Sequence, residues 1–319
     1  MSNELILRTA GPGDVDRLAE LIHRSTNAWY RGKFGYEVFA CSPEDVRLFV
    51  ETYEALDPGQ CLLIEDVQAG ALAGSCFVHP RSTHVSLGIL NVDEPYFGKG
   101  VARRLVQAVT DQADALGLPT RLVSSAMNLD SFSLYSHAGF VPYAFFQDML
   151  IDVPEVEPAI EDPTVQAVRE RVRPAIQDDV PAIAELERRH LGILRAEDLS
   201  YFVANANGCW TTLVVEGPAG GLSGYLAAID HPASRIIGPG LAIDEASMTA
   251  LLAGQLGQHP GQTMLAVVPS DWPGLVHQLY RWGGRNCETH VAQCRPVSGI
   301  GSKPGVSGVF LPTFMPETA

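Results

Sequence analysis

Residues 93–105, Asp-Glu-Pro-Tyr-Phe-Gly-Lys-Gly-Val-Ala-Arg-Arg-Leu, set two glycines either side of a lysine just ahead of a helical pattern. Glycine admits left-handed backbone and lets a ligand lie close to the chain. The first amides of a helix are unpaired and carry partial positive charge. Lys99, Arg103 and Arg104 add cations in an otherwise acidic chain. Together these features suit an anion, and a pyrophosphate is the natural guest. Two better-known glycine loops are excluded by spacing. Arg103 stands where a dinucleotide fingerprint needs its third glycine, and Lys99 is followed by Gly100 rather than Ser or Thr. On its own the stretch fits a phosphate cradle or a plain strand-to-helix connection equally well.

The elements that must hold this turn can be read from the pattern around it. Residues 4–10 alternate as a strand, and Asp14 stands as the N-cap of a helix with Val15, Leu18, Ala19 and Ile22 on one face. Residues 42–45, Ser-Pro-Glu-Asp, open a second helix with cap, proline and acids where a first turn favours them. Residues 61–67 and 73–79 read as a hairpin and 84–92 as a longer strand. The next helix is expected over about 101–116, burying Leu105, Val109 and Leu116 and stopping at Gly117. A strand (120–127), a short helix (131–139) and a strand (141–152) complete the order β-α-α-β-β-β-α-β-α-β. That order describes an α/β fold, a mixed sheet covered by helices.

The chain then repeats itself. At an offset of 165, Arg8 matches Arg173, Ala10 matches Ala175, Asp14 matches Asp179, and Ala19-Glu20-Leu21 matches Ala184-Glu185-Leu186. Residues 42–50 resemble 195–203, and 134–140 resemble 279–285, at offsets of 153 and 145. A kept order with a shrinking offset marks two copies of one domain, the second shortened in its loops. The expected division is a first domain at 1–150, a Pro- and acid-rich linker at 151–168, and a second copy at 169–319. The second copy has no Gly-x-Gly at the mouth of the helix after residues 234–246. It is expected to be a scaffold or to support the acceptor cleft, with Tyr280 structural. The first copy looks one strand short. The tail, a Gly/Ser run at 298–308 and a strand at 309–314, is therefore expected to cross over and complete the first sheet.

Composition bounds the function. The 319 residues carry a formal charge of −15, which argues against a broad nucleic-acid surface and against docking on anionic membrane. No secretory signal pattern and no uninterrupted apolar span is visible, so the expectation is a cytoplasmic protein, monomer or homodimer. The six cysteines form no Cys-x-x-Cys pair and match no zinc spacing; free thiols and no metal are expected, with a Cys287–Cys294 bridge left open.

Residues 91–105 followed by 128–140 resemble the GNAT (GCN5-related) N-acetyltransferase superfamily, in its tandem type with a degenerate C-terminal copy. The family loop, Arg/Gln-x-x-Gly-x-Gly/Ala, falls on Phe97, Gly98, Lys99, Gly100, Val101 and Ala102. Its second motif falls on Asn128, Leu134-Tyr135 and Gly139-Phe140. The resemblance covers residues 5–150 well and 171–295 weakly. It implies acetyl-CoA, or a longer acyl-CoA, in a cleft where two parallel strands splay. Leu90, Asn91 and Val92 would pair with the pantetheine arm, the amides from Gly98 to Arg103 would hold the pyrophosphate, and Asn128 would hydrogen-bond the pantetheine. Phe97 departs from the family's Arg or Gln and removes a polar contact.

The implied reaction moves an acyl group to an amine by direct attack in a ternary complex. An alkyl amine, with a pKa of about 10.4 by analogy with lysine, must lose a proton first. An N–H near Val92 would stabilise the carbonyl oxygen's developing charge. Tyr135 occupies the family's position for the acid that protonates the leaving thiolate; a core tyrosine is the other reading. Asp93 and Glu94 end the fourth strand and are candidate bases, or else solvated loop acids. Trp29, Tyr30, Phe34 and Tyr36, in the connection expected at 27–42, would line an apolar or aromatic acceptor site, or simply pack that loop onto the core. The contrasting function class is a non-catalytic CoA- or partner-binding protein.

Overall fold

The computed structural model describes residues 5–218, 220–297 and 304–313. The leading half runs β1 (Leu5–Thr9), α1 (Val15–Phe34), α2 (Arg47–Leu56), β2 (Cys61–Asp66), β3 (Ala71–Pro80), β4 (Val85–Val92), α3 (Val101–Leu116), β5 (Thr120–Ser125), α4 (Leu129–His137) and β6 (Val141–Asp152). After α5 (Pro163–Arg169) the same order returns. It comprises β7 (Val172–Pro174), α6 (Val180–His190), α7 (Ala196–Ala204), β8 (Trp210–Glu216), β9 (Leu222–His231), β10 (Ser234–Ala242), α8 (Glu245–Leu256), β11 (Thr263–Pro269), α9 (Pro273–Arg281) and β12 (Arg285–Arg295), with β13 (Val309–Leu311) beyond. The chain is thus a tandem of one mixed α/β fold.

The repeated residues do the same physical job twice. Arg8 grips Asp14 through two nitrogens at 2.7 and 2.8 Å and Glu65 at 2.6 Å. Arg173 grips Asp179 at 2.7 and 2.9 Å and Glu216 at 2.8 Å. Each aspartate also accepts from a backbone amide three residues back, Gly11 or Ile176, at 2.9 Å. So Asp14 is not the side-chain cap that its position suggested. It ties the first strand to the start of α1.

The thirteen strands among the described residues join one sheet, in the order β1-β2-β3-β4-β5-β12-β6-β11-β10-β9-β8-β7, with β13 against β10. The two halves exchange strands. β12 lies antiparallel between β5 and β6, and β6 pairs in turn with β11. The expected crossover therefore exists, but β12 makes it and the tail does not. β13 instead pairs antiparallel with Gly240–Ala242 of its own half. Of the Gly/Ser run, residues 298–303 lie outside the described residues. The core is shared too: Phe202, Trp210 and Ile229 of the trailing half pack in the cluster built on α1 and α2.

Three further expectations are corrected. The stretch read as linker contributes Ile151 and Asp152 to β6, and its end forms α5, whose Val165 and Val168 are buried in the cluster that also holds Leu252 of α8. α1 runs on to Phe34, so Trp29, Tyr30 and Phe34 sit on a helix rather than in a loop. Leu116 is 53% exposed, because Val101, Leu105, Val106 and Val109 already define the buried stripe of α3.

Two parallel contacts within the sheet are short. β4 and β5 pair only at Val85–Thr120 and Ser86–Arg121 and then part. β10 and β11 likewise pair only at Ile236–Leu265 and Ile237–Ala266. The trailing opening carries β13 along its β10 edge. The leading one opens into a cavity.

Candidate active site

The cavity measures about 790 Å³ and lies between the end of β4, the mouth of α3, α4 and one face of α1. Leu90, Asn91 and Val92 form its strand wall, and Phe97, Gly98, Gly100, Val101, Ala102 and Arg103 its helix-mouth wall. Gly98 and Gly100 have φ of +73° and +78°, backbone that a side chain strains. Gly100 is the N-cap of α3 and provides no side-chain oxygen, so the first amides of the helix face the cavity uncapped. A close approach of backbones sets the wall: a Cβ on Gly74 would lie 2.7 Å from Val101 and 2.8 Å from the Asn91 carbonyl.

The cations divide. Arg103 lines the cavity, whereas the Lys99 ammonium sits 5.0 Å from the Tyr96 ring centroid and Arg104 donates to the Leu5 carbonyl at 3.1 Å. Phe97 is 56% exposed at the rim. Asn128 caps α4, its Oδ1 accepting from the Ser131 amide at 3.1 Å, and its side chain also reaches the cavity. Tyr135, on α4, lines the cavity while its ring packs edge-on against Phe140 at 5.8 Å.

The two candidate bases lie elsewhere. Asp93 is held by Arg24 of α1 through two bonds of 3.0 and 2.9 Å, and Glu94 is exposed; neither lines the cavity. From the opposite side, Ser25, Thr26 and Trp29 of α1 complete the wall, and Thr26 accepts from Asn91 at 3.2 Å. The sequence pattern assigns Trp29 to a loop and gives Ser25 and Thr26 no role, because the pairing of α1 with the fourth strand is invisible in one dimension.

Trp29 opens onto a group of rings. Tyr30 lies 4.9 Å from it, Phe34 5.6 Å from Tyr30, and Tyr36 5.9 Å from Phe34. The Tyr30 hydroxyl donates at 2.6 Å to Glu288 on β12, and burial with that neighbouring charge pushes the phenol well above its usual range. Glu288, Asp148 of β6 and His290 of β12 form a buried cluster with ligating atoms within 4.8 Å of one another. Asp148 and His290 are hydrogen-bonded at 2.9 Å, and Asp148 holds the imidazole's pKa above its ordinary value despite burial. Sequence reasoning missed all three, since strand exchange brings residues some 140 positions apart side by side.

The corresponding mouth in the trailing half differs in kind. Asp244 caps α8, accepting from the Ser247 amide at 2.8 Å, and Glu245 accepts from the Leu275 amide. Tyr280, the counterpart of Tyr135, is 46% exposed and donates to Gln147 at 3.0 Å. All six cysteines are free thiols, and no described helix is long and apolar enough to cross a membrane.

Residues 23–140 match the model of the acetyltransferase (GNAT) family. No curated protein is matched by the chain. Among solved structures, a candidate acetyltransferase from Pyrococcus horikoshii has a TM-score of 0.72 at 14% identity, over 99% of this chain and 97% of its own. A GCN5-related N-acetyltransferase from Sphaerobacter thermophilus reaches 0.63 at 19% identity, over 96% and 98%. A tandem GNAT protein of the clavulanic acid biosynthesis pathway reaches 0.60 at 14% identity, over 94% and 100%. At these identities the likeness is one of fold.

Proposed function

We propose, from a chain whose residues 23–140 match the model of the acetyltransferase (GNAT) family, that the leading half is an N-acetyltransferase acting from acetyl-CoA. Acyl transfer to an amine is the family's chemistry; the carrier, the site and the inactive trailing copy are the proposal. One contrast carries it. The mouth of α3 has no side-chain cap and faces a cavity, whereas the mouth of α8 is closed by the Asp244 carboxylate. Bare amides and Arg103 suit a diphosphate; a carboxylate at the same place repels one. The donor set fits the carrier along its length. The β4 edge at Leu90–Val92 offers unpaired backbone groups to an amide-rich arm, and the Asn128 amide nitrogen donates no hydrogen bond among the described residues.

In the reaction, the amine nitrogen forms a bond to the thioester carbon and the carbon–sulfur bond breaks. The amide at Val92 faces the carbonyl oxygen as it gains charge. The Tyr135 phenol gives the departing sulfur its proton. Excess acetyl-CoA with a panel of amines and a thiol-release readout tests the reading. Turnover, with acetyl-CoA bound at one site per chain by calorimetry, supports it. No binding, or a second equal site, overturns it.

A non-catalytic CoA binder is the second reading. Phe97 at the rim and Asp93 held by Arg24 favour it. Binding without thiol release across the panel would establish that reading instead.

A further inference from the structure

Antiparallel pairing sets Asp148 of β6 directly opposite Glu288 of β12. Cys287 is the extra residue of a bulge just before Glu288, and His290 follows two places on, on the face that Glu288 occupies. Like charges directly opposite one another destabilise a strand pair. Here the pair is also out of water: Asp148, Glu288 and His290 are 2%, 4% and 7% exposed. Their ligating atoms lie within 4.8 Å of one another. Glu288 is held from one side only. Its Oε2 accepts from the Tyr30 hydroxyl at 2.6 Å, and its Oε1 is buried with no hydrogen-bond partner among the described residues. Two occupants suit such a set: a proton on the imidazole, or a metal ion that displaces it. The imidazole is hydrogen-bonded to Asp148 at 2.9 Å, so a proton there answers Asp148 and leaves Glu288 Oε1 unbonded. A metal ion reaches all three side chains.

We propose that Asp148, Glu288 and His290 bind a divalent first-row metal ion, at a site the two halves of the chain build together. Two carboxylates and one imidazole suit Zn²⁺ or Mn²⁺ rather than a soft, thiolate-seeking ion. Three protein ligands leave a further position to water. Tyr30 is the outer partner that fixes the Glu288 carboxylate, as such hydrogen bonds do around bound metals. Cys287 donates its thiol to the Asp148 carbonyl at 3.4 Å and stays outside the set. Cysteine spacing is therefore silent about this site, because none of its ligands is a cysteine. The site is also separate from the acyl-transfer cavity, which neither its three residues nor Tyr30 lines. Its role is to join. The ion ties β6 of the leading half to β12 of the trailing half where facing charges otherwise weaken their pairing. Through Tyr30 it also holds the last turns of α1. A ligating imidazole is neutral, so any proton it carries leaves as the ion enters.

The test uses the full, tag-free chain, stripped of metal with a chelator. We expect it to take up one equivalent of Zn²⁺ in equilibrium dialysis and to melt at a higher temperature with the ion than without it. Glu288→Gln and His290→Ala should each weaken Zn²⁺ binding by about 10²-fold or more, beyond the about 10- to 100-fold that losing an outer partner costs. Both should lose the thermal shift at equimolar Zn²⁺. Co²⁺ in place of Zn²⁺ should give a visible spectrum of nitrogen and oxygen coordination with no thiolate charge-transfer band. Uptake that survives both substitutions, or a thiolate band, overturns the proposal by placing the ion elsewhere. No uptake at all overturns it too and makes a shared proton the occupant. If neither variant folds, Tyr30→Phe carries the test: Zn²⁺ affinity about tenfold weaker supports the site, and unchanged affinity overturns it. None of these readouts involves acetyl-CoA, so their failure leaves the acetyltransferase reading standing.

Discussion

Tyr135 and Gly100 separate chemistry from binding. Removing the Tyr135 hydroxyl leaves its ring against Phe140 and the cavity wall in place. Tyr135→Phe should therefore lower kcat by a factor on the order of 10² while acetyl-CoA affinity changes little. Stopped-flow thiol release and calorimetry on one preparation would check both. Gly100 presents the reverse case. Its φ of +78° makes any side chain strained, although no atom lies within 4 Å of the added Cβ. Gly100→Ala should cost about 1–2 kcal/mol of stability from the left-handed backbone alone. Acetyl-CoA affinity should fall further, because the methyl group occupies the space beside the bare amides. A melting curve with and without acetyl-CoA distinguishes the two losses.

At the scale of elements, the paired Arg–Asp clasps make a pH prediction. Arg8 beside Asp14 holds that carboxyl down at about 2, from an ordinary 3.8. The unfolded chain then binds the proton more readily than the folded one, so stability falls as pH falls. The clasp's contribution is complete above about pH 4 and is lost as pH drops towards 2. Asp14→Asn should flatten the melting temperature over that interval and lower it at neutral pH. β13 offers a packing prediction. Phe310 is 5% exposed and meets Phe146 edge-on at 5.2 Å, so Phe310→Ala should cost about 3–5 kcal/mol in urea unfolding. The order of elements was legible because apolar periods of two and 3.6 survive in both copies. The glycine turn and α3 were legible for the same local reason. Glu288, Asp148 and His290 were not: each alternates unremarkably in its own strand, and only the exchange of β6 and β12 gives them a common face. The length of α1 was missed because Gly32 and a run of aromatics at 29–36 imitate a loop.

On the scale of the whole molecule, neither half owns a complete sheet. β5 meets β12 along six residue pairs, and β6 meets β11 along seven. Residues 1–152 and 153–319 produced separately should each expose these edges and aggregate. Produced together, they should assemble into one soluble 1:1 species, read by size-exclusion chromatography. Two halves that fold independently would show that the exchange is dispensable. Through β12 the trailing half supplies Glu288, the only buried carboxylate that Tyr30 touches among the described residues.

That arrangement has a consequence during synthesis. A ribosome that has released β5 and β6 still holds the strand destined to lie between them, and the gap stays open until residue 295 emerges. Nascent chains of this protein must therefore carry two naked sheet borders through much of translation, which makes them natural clients for a chaperone.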